Sequence, residues 1–318
     1  MATIQDQKFA QLGLQKATTS TKVVAYHKGL NNVNNNNPIL VLLHGYPQSS
    51  YIWRHLIPLL RSNILFVPDL PGYGQSAPAN EHDKVSIGLR VLEALKEVFA
   101  SQNPKAESSP PIVLIGHDRG ARVAHALHVS AGTSDILGFK ITGIALFDIV
   151  PTTSQWAIGD TAAAQTGFFH WSFLANVRIA KEMITAYGGG KWALDMIDRW
   201  SGSNITGLEN LKSGDALKVY SDFFDQESII EASCRDYEAG ATVDVERETE
   251  ANKEGRKIVV PLLLVYSEAF LPKRARKPIV EVGVTDVPVG DGIGHFVAEE
   301  APEVTAQALK KWLETLRP

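Results

Sequence analysis

Hydrophobic positions in this chain come in short, nearly unbroken blocks rather than in residue-by-residue alternation. Ile39-Leu40-Val41-Leu42-Leu43, Ile64-Leu65-Phe66-Val67-Pro68, Pro111-Ile112-Val113-Leu114-Ile115, Ile141 to Phe147 and Ile258 to Tyr266 are such blocks. A run that is apolar on both faces predicts a strand covered on both sides, as in a parallel sheet. Val23 to Tyr26 and Val280 to Val289 predict two more strands. Helices are expected between them, over Tyr51 to Leu60, Ile87 to Ala100 and Pro302 to Leu316. In the second of these, Leu89, Leu92, Leu95 and Phe99 are spaced for one apolar face. The polar run Asn31 to Asn37 is a turn-rich loop. Strands alternating with helices imply a mainly parallel sheet whose sites form at the carboxyl ends of the strands. His44, Asp69, Asp118 and Asp148 all fall at such ends.

The texture changes after Pro151. Residues 153–256 carry helical patterns rich in aromatics, as in Phe168 to Phe173, Trp192 to Trp200 and Ala216 to Phe224. The expected organisation is therefore one α/β core made of residues 1–152 and 257–318, with a helical cap inserted at 153–256. The basic stretch Lys273-Arg274-Ala275-Arg276-Lys277 is read as a solvated loop.

Composition narrows the class of protein. The 318 residues are 44% hydrophobic and 21% charged, enough to bury a real core, and the net charge of −4 exerts no pull toward nucleic acid or anionic membrane. One cysteine, Cys234, excludes an internal disulfide. The first residues carry no basic segment followed by an apolar run, and no apolar run approaches the ~20 residues of a membrane span. The expectation is a cytoplasmic enzyme acting on a small molecule, with neither membrane nor nucleic-acid partner. Cys/His metal spacings and phosphate-binding glycine loops are both missing from the sequence, so no cofactor and no metal are expected.

The chemistry concentrates at Gly116-His117-Asp118-Arg119-Gly120, directly after a strand and before the helical Ala121 to Leu127. Strand, Gly-flanked turn and helix in that order make a nucleophile elbow, with its middle residue presented at a helix N-terminus. Here that residue is the carboxylate of Asp118. A carboxylate suits displacement at saturated carbon, where it expels a leaving group and becomes an ester. His295 follows the last predicted strand and fits a general base that would activate water against such an ester. Asp148 would orient the histidine, with Glu268 in Tyr266-Ser267-Glu268 as a rival for that role. Arg119 and Arg122, three apart on the elbow helix, could together seat a substrate carboxylate, or could instead partner acidic side chains nearby. In the insert, His170, Trp171 and Tyr237 offer three neutral donors suited to a departing halide or to an epoxide oxygen.

These segments resemble the α/β-hydrolase superfamily, in its aspartate-nucleophile branch of dehalogenases and epoxide hydrolases. The matching pieces are His44-Gly45-Tyr46-Pro47-Gln48, Asp69 to Ser76, Gly116 to Arg122, Phe147 to Thr152, His170-Trp171, Asp236 to Gly240 and Gly294-His295-Phe296. They look most like haloacetate (fluoroacetate) dehalogenases. The resemblance implies a triad of Asp118, Asp148 and His295, an oxyanion hole from the backbone N–H groups of Tyr46 and Arg119, and a carboxylate seat at Arg119 and Arg122. It also implies a halide site at His170, Trp171 and Tyr237, and a homodimer. The activity implied is release of halide from a small 2-haloacid to give a 2-hydroxyacid, with epoxide opening, or a tailoring hydrolysis of a secondary metabolite by the same triad, as the alternative.

Overall fold

A computed structural model describes residues 2–104, 110–132, 135–159, 161–271 and 284–316. The apolar blocks form one sheet. Its strands are β1 (Gln15–Thr18), β2 (Val24–Lys28), β3 (Ile39–Leu43), β4 (Ile64–Pro68), β5 (Pro111–His117), β6 (Asp135–Ile136), β7 (Phe139–Phe147), β8 (Leu262–Tyr266) and β9 (Val284–Pro288). They lie in the order β1-β2-β4-β3-β5-β7-β8-β9, with β6 paired to β7. From β4 to β9 every pairing along that path is parallel, while β1 and β2 join antiparallel at one edge. All residues of β3, β4, β5 and β8 are buried, the physical reason those strands carry no polar alternation. The result is the α/β architecture expected from the sequence, with helices against a mainly parallel sheet.

Local chemistry moves several predicted boundaries. The helix expected from Ile87 starts at Lys84 because the Asp83 side chain accepts the Ser86 N–H and caps it. The segment expected as one helix from Tyr51 to Leu60 is a 3₁₀ turn, Ser50–Arg54, followed by a single α turn, Leu56–Leu59. Pro58 has no N–H to give back to Arg54, so a continuous helix would lose a bond there. Likewise β8 begins at Leu262, after Pro261, and Val259 before it is 81% exposed. An N-terminal helix, Ile4–Gln11, was not expected; its signal is the capping box between Thr3 and Asp6. Residues 280–283 of the last predicted strand and the basic stretch 273–277 lie outside the described residues.

Between β7 and β8 the chain forms no strand among the described residues, only nine helices running from Thr152 to Lys253. Among them are Thr152–Ile158, Phe169–Ala175 and the longest, Glu227–Ala241. Phe169–Ala175 and Glu227–Ala241 pack on each other and contribute to the wall of a cavity at the carboxyl edge of the sheet.

Candidate active site

The turn after β5 is crowded enough to dictate its residues. A Cβ on Gly116 would stand 2.4 Å from the Ala121 nitrogen, and one on Gly120 2.2 Å from the Leu43 carbonyl oxygen. Only glycine lets the helix Arg119–Val129 fold back so closely over the strands. Asp118, at the apex, takes φ 47° and ψ −117°, a left-handed conformation foreign to most side chains. Asp148 leaves the neighbouring β7 with φ 52°.

These two aspartates meet a histidine from the far end of the sequence. His295 Nδ1 lies 2.6 Å from Asp148 Oδ2, and its Nε2 lies 3.7 Å from Asp118 Oδ1. Asp148 is fixed from its other side by the Ser267 N–H at 2.8 Å. Glu268, the rival acid, is exposed. The Tyr46 N–H donates to Asp118 Oδ2 at 2.9 Å, so one of the two expected oxyanion donors already points at the carboxylate. The other, the Arg119 N–H, is in the first residue of the elbow helix.

Electrostatics separates the three groups. Burial opposes the charge on Asp118, yet the His295 contact and the nearby Arg119 hold its carboxyl well below the usual range. Burial raises the Asp148 carboxyl despite its bonds from His295 and Ser267. Burial also favours neutral His295, but the two aspartates outweigh it and carry the imidazole up to about 10. Of the three groups, Asp118 is the one held as an anion and His295 the one biased toward its cationic form.

The cavity has a volume of about 400 Å³, and its wall includes Asp118, Arg122, His170, Trp171, Tyr237 and His295. The three rings from the helical segment pack edge to face, with Trp171 and His170 5.6 and 5.7 Å from Tyr237 between centroids. Burial drives His170 down to about 3, so it is a neutral imidazole, and its Nδ1 is buried without a partner. The two arginines part company. Arg122 lines the cavity. Arg119 instead forms a buried pair with Asp236, through Nε at 2.8 Å and Nη2 at 3.1 Å, and its guanidinium carbon stands 4.1 Å from the centre of the Tyr237 ring. It takes the second arrangement considered from sequence, partner to an acid. Asp236 also binds Lys84 and the Tyr73 hydroxyl.

His44 and Asp69, at other strand ends, serve the loops instead. His44 Nε2 accepts the Leu70 N–H, and Asp69 accepts the N–H groups of Ser50 and Gln75. Sequence reasoning missed three neighbours of the site. Ser267 and His117 touch the cluster of Asp118, Asp148 and His295 through the backbone, His117 Nε2 lying 2.9 Å from the His295 carbonyl oxygen. Gln155, from the helix Thr152–Ile158, is 8% exposed and lines the cavity. A polar residue on the buried side of a short helix was its only signal. Among the described residues no group of acids, histidines and cysteine is arranged to hold a metal ion, and no helix is long and apolar enough to cross a membrane.

Comparison with known proteins adds relatives. The alpha/beta hydrolase family model matches residues 40–308. A fluoroacetate dehalogenase from a Burkholderia species is 26% identical over 294 residues, covering 90% of each chain. A soluble epoxide hydrolase from Corynebacterium sp. (strain C12) is 26% identical over 292 residues, covering 87% of this chain and 91% of its own. The solved structure of Cfl2 from Burkholderia cenocepacia superposes with a TM-score of 0.73 at 22% identity, over 94% of this chain and 95% of that one, a likeness of fold.

Proposed function

The chain belongs to the alpha/beta hydrolase family, and we propose that this hydrolase displaces halide from a small 2-haloacid through an ester on Asp118, giving a 2-hydroxyacid. The observation that carries the reading is Arg122, a buried cation in the wall of the cavity that also contains Asp118. A substrate carboxylate needs such a cation, whereas a neutral epoxide does not.

In the first step an Asp118 oxygen attacks the halogen-bearing carbon, the C–O bond forms as the carbon–halogen bond breaks, and the halide leaves with its electron pair toward His170, Trp171 and Tyr237. Neutral rings suit that task, since they donate without adding an anion. Esterification removes the charge of Asp118, and one of the two anions that raise His295 goes with it. The imidazole then gives up its proton more readily and becomes a base only when an ester is present. His295, held by Asp148, takes a proton from water, whose oxygen attacks the ester carbonyl carbon of Asp118. The N–H groups of Tyr46 and Arg119 stabilise the resulting oxyanion. Collapse breaks the bond from the carbonyl carbon to the oxygen Asp118 gave to the substrate. That oxygen takes the proton from His295 and leaves as the hydroxyl of the product, the water oxygen stays on Asp118, and one net proton passes to solvent. In this reading residues 153–256 act as a cap that closes the cavity over the core, 1–152 and 257–318. The fluoroacetate dehalogenase relative supports the haloacid class.

The test is intact-protein mass spectrometry of His295→Ala, incubated separately with chloroacetate, fluoroacetate and styrene oxide. An adduct of carboxymethyl mass on the peptide containing Asp118 is expected from the haloacids. An adduct from styrene oxide alone would move the function to epoxide hydrolysis, and no adduct from any of the three would sink the ester scheme.

A further inference from the structure

Arg122 does not stand alone in the cavity wall. Its Nη1 donates to the Val150 carbonyl oxygen at 2.7 Å and its Nη2 to Gln155 Oε1 at 3.5 Å, while its Nε is buried without a partner. Gln155 is more than nine-tenths buried, and its Nε2 also has no partner. A guanidinium has no acceptor, so the amide must turn its oxygen toward Arg122 and keep its NH₂ for something else. Two adjacent buried donors are thus left unmatched beside the nucleophile, where buried donors are ordinarily bonded. Arg119 also leaves one donor, Nη1, buried without a partner, but it commits Nε and Nη2 to Asp236 and is not part of the cavity wall.

We propose that the Gln155 carboxamide is the second arm of the substrate-carboxylate seat, with Arg122 as the first. One carboxylate oxygen takes the guanidinium and the other takes the Gln155 NH₂, so that the bound acid satisfies both unmatched donors. Gln155 thereby selects an acid over its neutral amide. It also ties the seat to the loop after β7, because Arg122 is anchored on Val150, two residues beyond Asp148. The inference rests on the proposed acid substrate, but not on the ester mechanism.

The experiment compares the wild type with Gln155→Met, which keeps the length and removes the amide, and with Gln155→Glu, which replaces the NH₂ by an anionic oxygen. Calorimetric titration uses glycolate and glycolamide as unreactive probes, and kinetics uses chloroacetate and chloroacetamide. For Gln155→Met, glycolate affinity is expected to fall about tenfold, with the KM for chloroacetate rising by the same factor and glycolamide binding unchanged. Gln155→Glu is expected to lose more, and if that variant does not fold, Gln155→Met alone decides. Unchanged glycolate binding in Gln155→Met, or an equal loss for glycolate and glycolamide, would overturn the proposal. A wild type that binds no carboxylate would overturn both this seat and the haloacid reading. Carboxylate binding that depends on Gln155, with no adduct in His295→Ala, would leave the seat standing and remove the ester mechanism.

Discussion

At the scale of single residues, the distance of 2.6 Å between His295 Nδ1 and Asp148 Oδ2 supports Asp148 over Glu268, two acids that the sequence could only rank. Asp148→Asn is expected to lower kcat on the order of a thousandfold, because the imidazole loses the anion that orients it and stabilises its charge. Glu268→Gln, at an exposed position, is expected to stay within about twofold. Steady-state kinetics on both variants separates them. A large loss in Glu268→Gln with Asp148→Asn spared would reverse the roles. Much of the constellation was legible: Asp118 stood between glycines after an apolar strand, and Asp148 and His295 followed other strands in the order nucleophile, acid, histidine. Gln155, and which acid Arg119 would pair with, were not legible. Both arise from tertiary contacts 33 and 117 residues apart in sequence, which no local pattern encodes.

At the scale of elements, the helix Glu227–Ala241 does two jobs with adjacent residues. Tyr237 faces the cavity, while Asp236 reaches Arg119 on the elbow helix and Lys84 at the start of Lys84–Gln102. A buried carboxylate between two buried cations is worth most when judged by its removal, since Arg119 would be stranded while Lys84 would keep only Asp244 at 3.2 Å. Asp236→Ala is expected to cost about 3–5 kcal/mol in denaturant unfolding. A loss below about 1 kcal/mol would show that water enters and solvates the cations. Helices and strands with broad apolar faces were read with small boundary errors. Four exceptions share a physical cause, a backbone N–H missing at Pro58 or Pro261 or supplied with a partner at Asp83 and Thr3, which hydrophobic periodicity does not register. The short strands Gln15–Thr18 and Asp135–Ile136 were not predicted.

For the molecule as a whole, the same His295 that serves the site also couples folding to pH. Its imidazole rises from the ordinary 6.5 to about 10 in the folded protein, so the folded state binds the proton more tightly than the unfolded chain. That contribution to stability is complete below about pH 6.5 and is lost as the pH climbs toward 10. The wild type is therefore expected to lose melting temperature across that window more steeply than His295→Gln. Parallel curves for the two proteins would show that the imidazole is not held charged.

The apex of the elbow also carries a conformational load. Asp118 holds its carboxylate in place with a backbone that L-residues resist, at φ 47° and ψ −117°, and strain of this kind costs roughly 1–3 kcal/mol. Alanine and glycine at this position both delete the carboxylate, and they differ only in whether a Cβ must endure that backbone. Glycine ordinarily destabilises a folded chain by loosening the unfolded one. Here the order is expected to invert, with Asp118→Gly more stable than Asp118→Ala by about 1 kcal/mol in equilibrium unfolding. The Asp118 carboxylate is then a loaded spring, kept under tension by the fold around it, and the version that relaxes this turn is one that has surrendered the carboxylate.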